Sequence, residues 1–237
     1  MNLVILTTVT THHLFFIKSI LNRNINVFAC IETNNKNNYS FSTKHIIDRK
    51  IIDYEASNWF NNKLPKIEDV CDNLIIKNIN DEKTLEYIKK INPGLILVFG
   101  TGLIHNHIIS NYKNLIFNFH GGDPQYYRGL DTNLWAIYHS DYSRISTCLH
   151  KLDSKFDNGS IYGIKKIKIK KNLKLEQMRT LNTINCIKLG KDIISKFLNK
   201  KELKLRKQFQ KGRYYSAMPT SLKEICHKKF NIYTKSL

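Results

Sequence analysis

One short stretch of this chain carries more chemistry than a strand exit requires. Leu115-Ile116-Phe117 is apolar and reads as a buried strand, and it runs straight into Asn118-Phe119-His120-Gly121-Gly122-Asp123-Pro124. Side chains alternate across a strand, so Asn118 and His120 share a face and converge on one point. Gly121 and Gly122 let backbone approach a ligand closely. In open α/β sheets, ligands bind beyond the carboxyl ends of the strands, which is where this run falls. Taken alone, a polar loop with one hydrogen-bonded histidine explains the same residues. The continuation argues for more. Tyr126-Tyr127-Arg128-Gly129 follows, then a helix and a strand, then Leu152-Asp153 and Asp157-Asn158-Gly159.

The elements that must position these groups alternate in type. Leu3 to Val9 is a short apolar run suited to a buried strand. Leu14, Phe15, Ile17, Ile20 and Leu21 then recur at helical spacing, with a threonine before them to act as N-cap. Asn24 to Thr33 holds the second strand, Asn73 to Ile79 the third, and Leu95 to Phe99 a fully apolar one of the kind buried on both faces. Helices are expected near Ile46 to Trp59, over Asp81 to Ile91 up to Pro93-Gly94, and over Asn133 to His139. Ile145 to Leu152 is a strand. Tyr162 to Ile169 alternates Ile with Lys and reads as an exposed edge strand whose lysines discourage further pairing. Leu173 to Leu198 is a long helix with Leu175, Met178, Leu181, Ile184 and Ile187 on its inner side. The pattern predicts an open, mostly parallel α/β sheet of Rossmann type over residues 1–200, with a short basic C-terminal extension over 201–237 that packs on the domain or binds a partner.

Composition bounds the function classes. The chain has 237 residues, 42% hydrophobic and 24% charged, as in an ordinary globular protein. The net charge of +19 fits an anionic partner, but Lys, Asn and Ile share AT-rich codons. Runs such as Asn34-Asn35-Lys36-Asn37-Asn38, and the scatter of basic residues, favour codon bias as the main source of the charge. Five separated cysteines without a CxxC pair argue against zinc or a disulfide framework and fit a reduced, cytoplasmic protein. The opening lacks a basic n-region, so it reads as a strand and not a signal peptide. No apolar run approaches the roughly 18 residues that span a bilayer.

Five elements in order, Asn118-Phe119-His120, Pro124, Tyr127-Arg128-Gly129, His150-Lys151-Leu152-Asp153 and Asp157-Asn158-Gly159, resemble the formyltransferases that use 10-formyltetrahydrofolate. The resemblance runs over about residues 3 to 200 and is sharp from 94 to 163. It implies a catalytic trio of Asn118, His120 and Asp157 and no metal. An amine would attack the formyl carbon, with Asn118 and a protonated His120 donating to the developing oxyanion. Asp157 would hold His120 charged and relay the proton of the attacking nitrogen. The resemblance also implies a pterin pocket lined by Val98-Phe99-Gly100-Thr101-Gly102 and by the loop from Asp153 to Asp157. Gly121, Gly122, Asp123, Tyr127 and Arg128 fall on the acceptor side. Arg128 is a candidate for substrate phosphate, against a structural pairing in the loop.

The acceptor is narrowed by what differs from that family. Thr7-Thr8-Val9-Thr10-Thr11-His12-His13 stands where the ribonucleotide enzyme has a glycine-bearing phosphate loop. A short tail stands where the tRNA enzyme has a folded module, although Lys201, Lys204, Arg206, Lys207, Lys211 and Arg213 could touch RNA backbone. The expected substrate is therefore an amino sugar carried on a nucleotide, with Gly212-Arg213-Tyr214-Tyr215-Ser216 as a small strand or a nucleotide-stacking element. The missing module argues against nucleic acid. A tRNA-type enzyme, a formyltetrahydrofolate hydrolase and a basic RNA binder on the same scaffold stay open, as does a homodimer.

Overall fold

The computed structural model describes residues 1–33 and 39–237; the Asn34 to Asn38 run lies outside them. The opening apolar run forms β1 (Asn2–Thr7), in which Leu3, Val4, Ile5 and Leu6 are all fully buried. Alternation sends Leu3 and Ile5 to one side of the sheet and Val4 and Leu6 to the other, so each face has its own apolar cluster. Burying one such side chain contributes about 1.5–3 kcal/mol. The rest of the first half is α1 (Thr11–Ile20), β2 (Asn26–Glu32), α2 (Ile46–Phe60), β3 (Asp72–Ile76), α3 (Glu82–Ile91), β4 (Leu95–Phe99) and the short α4 (Asn106–Ile109). The second half is β5 (Ile116–His120), β6 (Tyr127–Gly129), α5 (Thr132–Tyr138), β7 (Ser146–Lys151), β8 (Ile161–Lys166), α6 (Met178–Leu198), β9 (Arg213–Tyr215) and α7 (Thr220–Ser236).

Seven strands make one sheet in the order β3-β2-β1-β4-β5-β7-β8. The first five are parallel; β7 runs antiparallel to β5, and β8 antiparallel to β7. The chain winds outward from β1 through β2 to β3, then crosses back to β4 and β5. The strand order therefore reverses between β1 and β4, the place where open α/β sheets leave a crevice. This is the mostly parallel Rossmann-like sheet expected. The β8 edge is less bare than its lysines suggest, since Ile161 makes an antiparallel bridge to Arg206.

Three elements differ from expectation. The residue before α1 is Thr10, but its side chain makes no capping bond and instead meets the rings of His12 and His13. Helix α6 starts at Met178 after a 3-10 turn at Leu175–Gln177, and it is rotated from the apolar stripe. Leu175 and Met178 are buried, but Leu181, Ile184 and Ile187 are only half-buried. The face against the sheet is Thr180, Thr183, Cys186, Leu189, Gly190, Ile193 and Ile194. Small residues win there because the approach is close: a Cβ on Gly190 would stand 3.3 Å from the Phe16 ring and 3.4 Å from that of Phe119. Finally, the tail holds a full helix, α7. Its Cys226 and Phe230 pack with Met218, Ala136 and Ile137 in a third cluster, and buried Lys223 bonds Asp48 at the start of α2.

Candidate active site

Strand β5 splits its side chains cleanly. Phe117 and Phe119 enter the cluster under α1 and α6, so Asn118 and His120 face the other way. Register then brings in a residue that sequence reasoning quoted but gave no role: His150 on β7 lies directly opposite Asn118. The loop after β7 folds back over this face and delivers Asp157 in the left-handed region, at φ 46°. That conformation is tolerated by Asp and held by contacts. The Asp157 Oδ2 accepts the Gly129 N–H at 2.8 Å, while its carbonyl accepts from Arg128 Nη2 at 2.9 Å and Gln208 Nε2 at 2.8 Å.

The expected trio thus meets, with His150 as a fourth member. Asp157 Oδ1 lies 3.4 Å from His120 Nδ1 and 3.5 Å from His150 Nε2. His150 Nε2 is 3.3 Å from Asn118 Nδ2, and its Nδ1 donates to the Lys151 carbonyl at 2.8 Å. With Nδ1–H so used, a neutral ring accepts at Nε2 from the Asn118 amide, and a protonated ring donates there to Asp157. His120 Nε2 donates to the Tyr127 carbonyl at 2.9 Å. Both ring nitrogens of His120 therefore face acceptors, and only the doubly protonated ring satisfies both. To donate to a developing oxyanion, as expected from the sequence, the ring must release Tyr127. Burial alone would raise the Asp157 carboxyl. The His120 charge, the His150 bond and charge and the Gly129 amide outweigh it and hold the group well below the ordinary carboxylate range.

These groups open on a cleft of about 890 Å³. That is within the range of about 300–1,000 Å³ common for ligand sites. One wall is the turn after β4, where Val98, Phe99, Gly100, Thr101 and Gly102 all line the space, with Asp153 and Asp157 facing them. The turn is pinned by Glu32, a buried residue sequence reasoning missed: its carboxylate accepts the Gly102 N–H at 2.8 Å and the Ile79 N–H at 3.0 Å. Gly100 has φ 82°, and a Cβ there would stand 2.3 Å from His13 Nε2. Another wall holds Arg179, paired fork to fork with fully buried Glu55 at 2.8 and 2.7 Å.

Part of the expected acceptor side lies elsewhere. Gly121 lines the cleft, but Gly122, Asp123, Tyr127 and Arg128 do not. Gly122 packs on Thr132, and Asp123 turns back to bond the Gln125 backbone N–H and side chain. Tyr127 is buried with its hydroxyl on Asp141. Arg128 is 2% exposed and spends its guanidinium on Pro124 O, Asp157 O and Asn158 Oδ1. It clamps the loop that carries Asp157 and, being buried, has no free face for a phosphate. The charge of such a group is buried because its partners are in place, and the sequence reveals neither fact.

At the end of β1, His12 and His13 line the cleft beside Phe99. Burial and then the Arg179 charge push His13 down to about 3, against an opposing contact from the Thr8 backbone. Burial, His13 and Arg179 lower His12 as well. Both rings are neutral near pH 7 and present no charge to a phosphate. Among the described residues, no cluster of three or more His, Cys, Asp or Glu could hold a metal ion, and no helix is long and apolar enough to cross a membrane.

Comparison with known proteins decides what this arrangement is related to. Over 125 residues the chain is 31% identical to the methionyl-tRNA formyltransferase of Finegoldia magna, covering 52% of this chain and 38% of that one. Over 94 residues it is 34% identical to the bifunctional polymyxin resistance protein ArnA of Wigglesworthia glossinidia brevipalpis, covering 39% and 14%. A sugar N-formyltransferase from a Shewanella species superposes with TM-score 0.62 at 14% identity, over 97% of this chain and 87% of that one. The chain is similar to formyltransferases in part of its sequence and in its fold. It spans well under half the length of the curated relatives it matches in sequence. The formyltransferase PseJ from Anoxybacillus kamchatkensis, in complex with UDP-4,6-dideoxy-4-formamido-L-AltNAc and tetrahydrofolate, has the same fold, with TM-score 0.55 and 16% identity over 91% and 86% of the two chains. No family profile matches the sequence.

Proposed function

We propose that the chain transfers a formyl group from 10-formyltetrahydrofolate to the amine of a nucleotide-linked amino sugar. The observation that carries the transfer is the meeting of Asn118, His120 and Asp157 at the mouth of one cleft, on a formyltransferase fold. The co-substrate supplies an electrophilic formyl carbon whose oxygen becomes negative on attack. Asn118 has one amide N–H turned to His150 and a second free for that oxygen. The fixed Asp157 carboxylate pairs with His120 beside the reacting atoms and relays the proton shed by the amine to the nitrogen of the departing tetrahydrofolate as its bond to the formyl carbon breaks. The turn from Val98 to Gly102, which lines the cleft, is the place for the pterin. Residues 1–200 then form the catalytic unit, and the 201–237 extension completes its wall through Tyr214 and Ser216.

The sugar acceptor is supported by the neutral His12 and His13 where a ribonucleotide phosphate would need charge, and by a structural relative described as a sugar N-formyltransferase. The sequence relative named methionyl-tRNA formyltransferase supports a second reading, tRNA as acceptor. Competition decides: a nucleotide-linked amino deoxysugar, glycinamide ribonucleotide and charged initiator tRNA are offered together with the formyl donor. Fastest formylation of the tRNA or the ribonucleotide overturns the sugar. Tetrahydrofolate released with no amine present makes the chain a hydrolase.

A further inference from the structure

The basic charge is not spread evenly. Residues 155–213 are a quarter of the chain, yet hold 18 of its 38 Lys and Arg and only 4 of its 19 Asp and Glu. They carry +14 of the net +19. Codon bias predicts no such concentration. In the fold this segment is β8 at the open edge of the sheet, the outer face of α6, and the ribbon from Asn199 to Arg213 that returns along β8 to the cleft.

The ribbon is held by its backbone and polar side chains. Arg206 bridges Ile161, Gln208 Nε2 donates to the carbonyls of Asp157 and Gly159, Gly212 N–H donates to Pro124 O, and Arg213 N–H donates to Tyr126 O. Fixed on its inner side, it turns Lys201, Lys204, Arg206, Lys207, Lys211 and Arg213 to solvent. Aromatic rings stand at the end that meets the cleft: Phe209 is 67% exposed, Tyr214 53% and Phe156 49%, the last two with ring centroids 5.5 Å apart.

The geometry points to a single-stranded RNA lying along this ribbon, phosphates on the lysines and bases on the exposed rings. Lysine tracks with aromatic platforms are how proteins hold single strands without reading sequence. An anionic membrane fits less well, because surface helices that bind one present a broad apolar face beside the charge. Apart from Phe156, Phe209 and Tyr214 at the cleft end, no large apolar side chain is exposed along this surface, and three rings at one end do not make such a face. The binding requires none of Asn118, His120 or Asp157, and so goes beyond the reaction proposed above.

The test is the affinity of the full chain for a labelled, unstructured 16-nucleotide RNA across a salt series. Single strands give a slope of about −0.7 in log affinity against log salt for each phosphate neutralised. Reversal of four ribbon lysines (K201E, K204E, K207E, K211E) is expected to weaken binding at least tenfold and to flatten the slope by about 3. The same reversal at the exposed Lys63, Lys77, Lys89 and Lys90, on the other end of the sheet, is expected to cost under threefold. Phe209→Ala and Tyr214→Ala each lower affinity about fivefold or more and leave the slope unchanged. Equal losses in the two quadruple variants reduce the effect to net charge and overturn the site. So does tighter binding to phosphatidylserine vesicles than to RNA, or an affinity unmoved by both aromatic variants.

Discussion

The substitution Asp157→Asn keeps the side-chain volume and removes the charge, and the structure fixes what that does. The amide oxygen of the variant side chain retains the Gly129 N–H, but the carboxylate contacts to two imidazoles are lost. His120 keeps its Nε2–H on Tyr127 but loses the anionic partner at Nδ1. Turnover is expected to fall about 10²–10⁴-fold, the range for a lost acid–base group. The Asp157 side chain is 11% exposed, so solvent screens these contacts little. A hydrogen bond to a charged group contributes about 1.5–3 kcal/mol, and the variant is expected to lose about that much stability near pH 7. The folded carboxyl titrates below its unfolded value of about 3.9, so its stabilisation is complete above that value and fades as pH falls toward the folded one. Urea unfolding of both proteins from pH 3 to 8 should show a constant gap above about pH 5 that narrows below about 4. A gap that persists unchanged at the acid end, or a variant within threefold of wild-type turnover, would refute the assignment.

Three further outcomes follow from the same contacts. Asn118→Ala is expected to cost about 10²–10³ in kcat with folding intact by circular dichroism, as for one lost oxyanion donor; unchanged kcat removes it from the site. Arg128→Ala is expected to lower stability by about 3 kcal/mol or more, since it removes three hydrogen bonds made by a buried charged group; a stable variant with only a raised KM restores it as a phosphate ligand. The acid limb of the rate profile cannot belong to Asp157, which stays ionised throughout the working range. It should move with the basicity of the acceptor amine when acceptors are exchanged, and a limb that stays fixed assigns it to the protein.

What is legible in the sequence follows from periodicity and order. Alternation from Ile116 to His120 is enough to put Asn118 and His120 together, and apolar runs bounded by turns give the parallel strands. Helix α6 departs from its apolar stripe by about one side-chain direction, because its tightest contact uses Thr183, Cys186 and Gly190, which a search for large apolar residues passes over. Helix α7 escapes a reading of the sequence because its inward stripe, Leu222, Cys226 and Phe230, is diluted by lysines, one of them itself buried on Asp48. The role of Arg128 is hidden because an arginine beside a glycine reads the same whether it faces solvent or closes a loop. The charge looks scattered from its run lengths; a count over residues 155–213 shows its concentration, and the fold adds that the ribbon returns beside β8.

The register of β5 ties fold and chemistry into one constraint. Ile116, Asn118 and His120 share one face, and Phe117 and Phe119 the other. A slip of one residue would exchange them, burying an amide and an imidazole against the rings of Phe16 and Phe99 and turning two phenyl rings into the cleft. The cost of that exchange is large on both sides, so the aromatic packing under α6 specifies the register that aims the polar pair. The antiparallel return of β7 then adds what a parallel neighbour would not: it sets His150 against Asn118, and it leaves the chain free to fold straight back over the same face with Asp157. Core packing, strand direction and one left-handed residue together place the four polar groups.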